Sequence, residues 1–447
     1  MQRIGGDILI AALLFALLVL YSLPSLALQP VETFIAGARQ RNPDEFEARA
    51  NLSQQQAQAV STLGRVLPGI GARGSYTRNQ YSSVVDIAPP SVPGQPPPQP
   101  QPVTLVPRDQ WDGSATVTVP LIDLAGFRRV GAANSSALAA AYQLDSTRLQ
   151  VEGQVVQDYY QVVANLALVA ASRAALDVSR EGLRLAQARY QAGTAAALEV
   201  DRARADVEQQ FQQLAAAELQ VALAARALES ASSVKPDVST VVPLSDDLHP
   251  EPALETFQSG VPGLPAVAAA SASTRAAEKQ ADAQRLALAP SIAGTFTERG
   301  TNSPGFSGHD WTYHAALTAT WSLDLSSFAD IRVQEAAADA ARAREFRALL
   351  AAGDAIHREW NTVIAGIARS RSARAGREAA GHASAQARER YRAGTITQLD
   401  LLQAQRDAFT AEVSRIQADA DLVNARAQLR LSSGHSLLAD SGRKETP

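Results

Sequence analysis

Two hydrophobic periods divide the chain. Tyr142, Leu149, Val156, Val163 and Ala170 stand seven residues apart, as do Val200, Val207, Leu214, Val221 and Leu228. Leu402, Phe409, Ile416 and Val423 repeat that spacing near the C-terminal end. A seven-residue period puts these side chains on one seam of a coiled coil. Elsewhere the period is two. Trp311, Tyr313, Ala315, Leu317, Ala319, Trp321 and Leu323 alternate with Thr312, His314, Ala316, Thr318, Thr320 and Ser322. Trp111, Ala115, Val117, Val119 and Leu121 alternate with Asp112, Ser114, Thr116 and Thr118. Shorter runs at 70–77 and 291–297 alternate in the same way. Period two predicts strands with two unlike faces. The chain therefore reads as long helices interrupted by four strands.

The pattern occurs twice. Arg189-Tyr190-Gln191-Ala192-Gly193-Thr194 returns as Arg390-Tyr391-Arg392-Ala393-Gly394-Thr395, and Asp123-Leu124-Ala125-Gly126-Phe127 as Asp324-Leu325-Ser326-Ser327-Phe328, both at an offset of 201. Leu67-Pro68-Gly69-Ile70 matches Ala289-Pro290-Ser291-Ile292 at an offset of 222. The difference of 21 falls in the proline-rich segment Asp86–Pro107, whose short counterpart is roughly Arg299–Asp310. This self-similarity predicts a tandem duplication. The first repeat spans 28–233, a linker 234–262, the second repeat 263–433 and a polar tail 434–447. Each repeat carries a short helix, two strands, a long helix (Phe127–Gln187 in the first) and a shorter closing helix. A helix of about 60 residues is roughly 90 Å long, so such helices must lie side by side as a bundle or tube. Gly193 and Gly394 suit a left-handed position after a helix, and Thr194 and Thr395 can cap the helix that follows.

The strands admit two readings: hairpins packed on a soluble core, or membrane-crossing strands. About ten tilted residues suffice to cross a bilayer. The apolar faces have no complementary sheet elsewhere in the chain, and the opposite faces are rich in Thr and Ser, as a wet lumen would be. Aromatics near both ends of Trp311–Leu323 resemble interfacial girdles. Four strands cannot close a barrel, and lipid does not tolerate open sheet edges. Several copies must then contribute, and three copies give twelve strands.

At the N-terminus, Arg3, the apolar run Ile8–Leu20 and the small residues of Ser25-Leu26-Ala27 predict a secretory signal over 1–27. The chain has no cysteine, which excludes disulfides, thiolate metal sites, a thiol nucleophile and a lipidated N-terminal cysteine. Its net charge of -4 argues against nucleic acid as a partner. Gly69-Ile70-Gly71-Ala72-Arg73-Gly74 fits G-x-G-x-x-G, but it is followed by an alternating strand, so no dinucleotide site is expected. The six histidines lack metal-ligand spacing. No catalytic residue, metal or cofactor is expected. Asp86–Pro107 reads as a loop outside the membrane, since its prolines suit neither helix nor strand interiors.

The duplicated halves, the paired strands, the Ala-rich helices and the R-Y-x-A-G-T turns together resemble the TolC-like outer-membrane efflux protein family. The resemblance rests on Arg390-Tyr391 with Gly394-Thr395 and Leu399-Asp400-Leu401, on their first-half counterparts ending Leu198-Glu199-Val200, and on Pro120-Leu121-Ile122-Asp123-Leu124-Ala125-Gly126. It implies a mixed α and β membrane protein. In that fold, three copies join four strands each into a twelve-stranded barrel, continued by a periplasmic helical barrel. It also implies a passive export channel for small molecules or polypeptides, working with an inner-membrane transporter and a periplasmic adaptor. Arg189, Tyr190, Gly193, Thr194, Arg390, Tyr391, Gly394 and Thr395 are then expected at the periplasmic tip, contacting the adaptor. Glu199 and Asp400 are expected to form an acidic constriction, weakened by Gln403 and Arg202 one turn later. The competing reading is a periplasmic coiled-coil adaptor or scaffold outside the membrane, which leaves the four strands unexplained.

Overall fold

The protein is described by a computed structural model covering residues 28–87, 94, 99–239, 243–244 and 246–438. The expected signal segment 1–27 and the end of the tail lie outside the described residues. The described residues form two compact units. One contains the chain up to Arg49, Gln143–Val267 and the chain from Ala348 onward; the other contains Ala50–Tyr142 and Ala268–Arg347.

The second unit holds the sheet. Strands β1 (Gly69–Arg78), β4 (Asp109–Ile122), β5 (Ser291–Thr301) and β6 (Trp311–Thr320) lie side by side in that order, every pair antiparallel. The register aligns the alternating faces. Ile70, Val117, Phe296 and Ala315 form one cross-strand row, and Gly71, Thr116, Thr297 and His314 form the next on the opposite face. A slip of one residue in any strand would exchange its faces. Charged residues interrupt the apolar face near one end: Glu298 in the row of Ala72, Ala115 and Tyr313, and the pair Arg78 and Asp109 beyond it. Phe296 and Tyr313 stack there with ring centroids 5.9 Å apart.

Three details differ from the expected strands. A separate ribbon of β2 (Ser83–Ile87) and β3 (Gln101–Val106) occupies both ends of the proline-rich segment, so Asp86–Pro107 is not wholly irregular. Its interior, 88–93 and 95–98, lies outside the described residues. Strand β6 ends at Thr320, and the Trp321 indole instead donates to the Leu288 carbonyl at 2.9 Å. The β4–β5 register shifts between Pro120 and Ile122, where proline offers no N–H to the ladder.

Helices complete the chain: α1 (Val31–Arg41), α2 (Pro43–Gly64), α3 (Leu124–Gln191), α4 (Ala197–Ser232), α5 (Leu254–Gln258), α6 (Pro265–Leu286), α7 (Leu325–Arg392) and α8 (Gln398–Ser432). The two long helices have 68 residues each, longer at both ends than Phe127–Gln187 predicts. Their starts share one device. Asp123 accepts the Gly126 N–H at 2.7 Å, and Asp324 accepts the Ser327 N–H at 2.9 Å. Each aspartate thereby satisfies one of the first orphan donors of its helix. A Cβ on Gly126 would lie 2.6 Å from Val66 Cγ1, so the first copy requires glycine where the second carries serine.

In the first unit the predicted first-repeat seams are buried where they meet α1 and the linker. Val156, Val163, Val221 and Leu228 pack with Phe34, Ile35 and Leu28 in one core. A second core of Ile356, Val363, Leu422 and Leu429 with Val261 and Leu264 lies off the predicted second-repeat seam, of which Ile416 is buried and Leu402, Phe409 and Val423 are half-buried. Ala170, placed on the seam by spacing, is exposed. The start of the expected tail is ordered. Ser436 Oγ and the Leu437 N–H donate to buried Glu152 at 2.9 and 2.6 Å, and Leu437 and Leu438 pack against the first core.

Candidate functional site

Two places concentrate the candidate chemistry: the paired turns after α3 and α7, and the exposed face of the sheet.

The turns share one hydrogen-bond scheme. Thr194 N–H donates to the Arg189 carbonyl at 2.9 Å and Gly193 N–H to the Tyr190 carbonyl at 3.0 Å. Thr395 and Gly394 repeat both bonds onto Arg390 and Tyr391 at the same lengths. This is the Schellman arrangement, with glycine in the left-handed position at φ 73° in both copies. Thr194 and Thr395 do not cap the following helices. Their hydroxyls turn back onto the Arg189 and Arg390 carbonyls at 3.1 and 3.0 Å. Each threonine thus closes the helix it follows and leaves the next start to other residues.

The next starts differ between repeats, and the difference separates the two acids. Helix α8 begins with a capping box. Thr397 Oγ1 accepts the Asp400 N–H at 3.3 Å, and Asp400 Oδ2 accepts the Thr397 N–H at 3.1 Å. Hydrogen bonds from the Thr397 hydroxyl, then from its backbone, hold exposed Asp400 below the usual carboxylate range. The equivalent of Thr397 in the first repeat is Ala196, which cannot cap. Glu199 is therefore free to reach across, and it accepts the Tyr391 hydroxyl at 2.8 Å. The Gln398 amide donates to the Glu199 carbonyl at 2.6 Å, and the Arg189 guanidinium lies 4.7 Å from the centre of the Tyr391 ring. Tyr391 is only 2% exposed. Burial first, then the Glu199 bond, pushes its hydroxyl up to about 12, so it remains a donor at neutral pH. Below its ordinary value of about 10 the contribution of this protonated group is fully present. It is lost only as pH rises through about 12.

These contacts tie the first repeat to the second, joined by Arg406 of α8 at 3.6 Å from buried Asp206 of α4. They bring Arg189, Glu199 and Tyr391 together. They do not include Tyr190, which is 51% exposed, or Arg390, which has no ion pair among the described residues. No ion pair joins Glu199 to Arg202 among the described residues; Tyr391 takes that carboxylate instead.

The sheet presents an apolar face with nothing packed on it among the described residues. Ile70 is 83% exposed and Leu317 71%, with Tyr76, Trp311 and Tyr313 exposed on the same face. Leaving such a face in water is unfavourable by roughly 25 cal/mol per Å². The profile of the outer membrane efflux protein family matches residues 34–233 and 263–435, most of the described chain. The chain belongs to that family. It is accordingly an outer-membrane channel protein for efflux, extending into the periplasm, and it is not an enzyme. A scaffold outside the membrane is set aside by the same match.

The efflux protein also resembles solved structures. The Campylobacter jejuni CmeC outer membrane channel is 17% identical, with a TM-score of 0.75, covering 94% of this chain and 90% of that one. The outer membrane protein VceC from Vibrio cholerae is 18% identical, with a TM-score of 0.75, covering 91% and 96%. A membrane protein from Pseudomonas aeruginosa is 20% identical, with a TM-score of 0.75, covering 90% and 93%. These identities establish the shared fold. No curated protein matches the efflux protein by sequence.

Sequence reasoning missed two buried charge clusters. Asp419 of α8 accepts Ser370 Oγ at 2.5 Å and Arg374 Nε at 3.0 Å from α7, and Arg415 Nη1 at 2.8 Å from its own helix. Arg426, one heptad further, pairs with Asp246 at 2.8 Å and with Glu251, and donates to the His249 carbonyl at 2.7 Å. The available signal was a charge at positions 419 and 426, on the same stripe as Leu422 and Leu429. Asp246, Asp247 and His249 also stand close enough to share a cation, but Arg426 already supplies positive charge there.

Proposed function

We propose that three copies of the chain close one barrel in the outer membrane and deliver solutes received from an inner-membrane transporter through a periplasmic adaptor. The observation that carries this reading is the four-stranded sheet. Its apolar face is unpartnered, and both edges, β1 and β6, are free among the described residues. Lipid covers the apolar residues of such a face favourably, but it excludes open edges. The edge β6 of one copy must therefore pair with β1 of the next. Alternation of the repeats around a ring of three also supplies partners to Tyr190 and Arg390, the equivalents of Tyr391 and Arg189-side groups already joined within one copy.

On this reading the segments 28–233 and 263–433 are the two structural repeats, and 234–262 is the linker between them. The turns at Gly193 and Gly394 form the periplasmic tip, because each follows the last residue of a long helix whose first residue adjoins a strand. Arg189, Tyr190, Thr194, Arg390 and Thr395 then present the adaptor contact, whereas Tyr391, expected among them, is buried and braces the turn from inside through Glu199. The ribbon of β2 and β3 lies outside the cell. An epitope inserted at Gly94 is expected to be labelled on intact cells, in a protein that stays with outer membranes after a carbonate wash. Labelling only after permeabilisation would overturn the topology, and release by carbonate would overturn the membrane reading.

Glu199 and Asp400 form an acidic entrance at the tip, six carboxylates in three copies. Asp400 contributes the exposed charge, and Glu199 is partly screened by Tyr391. A carboxylate ring attracts cations and can hold multivalent ones. In planar bilayers, Glu199→Ala with Asp400→Ala should lower cation preference and weaken block by trivalent cations. Unchanged selectivity and block would remove these acids from the pore.

A further inference from the structure

We infer that Arg73 forms a ring of unpaired guanidiniums inside the barrel, which favours anionic solutes there; the inference rests on the polar sheet face lining the lumen. Arg73, Ser114, Arg299 and Thr312 form one cross-strand row on that face. The row carries two arginines, and only one has a counter-charge. Arg299 donates to Asp112 from Nε at 3.0 Å and from a second nitrogen, and the Gln110 amide adds a bond to Asp112 at 2.7 Å. Arg73 has neither an ion pair nor a side-chain hydrogen bond among the described residues. The other strand carboxylates near this level, Asp109 and Glu298, have the opposite parity and belong to the apolar face.

Closure of the barrel does not change this balance. The strand that must pair with β1 is β6 of the neighbouring copy. Its polar-face residues are Thr312, His314, Ala316, Thr318 and Thr320, with no acid among them. Arg73 therefore has no acid opposite it in any register that pairs it within Trp311–Thr320; exposed Asp310, one residue before β6, is the nearest carboxylate of the neighbouring copy. Twelve strands about 4.8 Å apart and tilted about 45° give a backbone radius of about 13 Å. An extended arginine brings its charge roughly halfway to the axis, within about one Debye length (~8 Å at physiological salt) of it. Three such charges at one level act on the whole cross-section. Guanidinium also binds carboxylate and phosphate oxygens in a bidentate fork, which a diffuse positive field does not.

The test is the reversal potential of the intact trimer in planar bilayers under a KCl gradient, with citrate as a trivalent blocker added to the extracellular side. Arg73→Ser should raise the cation-to-anion permeability ratio roughly threefold or more and weaken citrate block, while Arg73→Lys keeps most of the wild-type selectivity. The cysteine-free chain permits an independent check of the face. Thr116→Cys should react with a charged, membrane-impermeant thiol reagent and lose conductance, and Val117→Cys should not react. If Thr116→Cys reacts but Arg73→Ser changes neither selectivity nor block, the inference falls and the channel reading stands. If Val117→Cys reacts and Thr116→Cys does not, the faces are reversed and both fall.

Discussion

Replacing Gly193 and Gly394 together by Val is expected to abolish export while leaving the trimer in the outer membrane. Both glycines sit at φ 73° with open space around the position a Cβ would occupy, so a new side chain would meet no clash. The penalty is conformational. A left-handed backbone costs an L-residue about 1–2 kcal/mol, and β-branching makes it worse. The turns would relax out of the Schellman geometry and release the Arg189 and Arg390 carbonyls. The long helices lose only their last turn, so assembly persists while the tip loses its shape. Asparagine tolerates this conformation, and the Gly193→Asn, Gly394→Asn pair should keep most of the export. An export assay beside a trimer-resolving gel checks both. Normal export by the valine pair would contradict the assignment of these turns to the tip.

Arg426→Met should destabilise the packing of the linker by about 3–5 kcal/mol, the range for breaking a buried ion pair on one side. Arg426 is 6% exposed and faces Asp246 and Glu251, both on the linker, with the His249 carbonyl completing its donors. Removing the guanidinium leaves two carboxylates without their counter-charge beside α8. The expected readout is a lowered melting temperature and new proteolytic cleavage within 234–262. Adding Asp246→Asn and Glu251→Gln should recover part of the loss, because the stranded charges are then gone. A triple variant no more stable than Arg426→Met would show that packing rather than charge governs the site.

Much of the architecture was legible from two periods. Period two located β1, β4, β5 and β6, and the register groups the alternating residues into two unlike faces. Period seven located the long helices, and the offset of 201 showed that the elements come in pairs. The ribbon of β2 and β3 was hidden because proline density argues against strands, although an exposed two-stranded ribbon tolerates Pro102 at its edge. The divergence of Glu199 from Asp400 was equally hidden. Repeat equivalence predicts the same role for both, and the single change of Thr397 to Ala196 at the cap gives them different partners. Arg426 and Asp419 were overlooked because one charge on an apolar stripe cannot be paired until the opposing chain is placed. The pairing of the two halves of the sheet through β4 and β5 needed tertiary structure as well, since nothing local joins strands on either side of α3 and α4.

Barrel closure between copies is the central claim, and cysteine cross-linking across the sheet edges tests it most directly. The sequence has no cysteine, so every disulfide formed joins two engineered positions, and single-cysteine β1 and β6 variants run alongside report any like-with-like pairing. These strands are separated by β4 and β5 within a copy, about 14 Å apart, too far for a disulfide. Pairs placed along both strands, oxidised in outer membranes and run on a denaturing gel without reductant, should include registers that yield a covalent ring of three. Monomers from every pair, or ladders extending beyond three copies, would contradict the closed trimeric barrel.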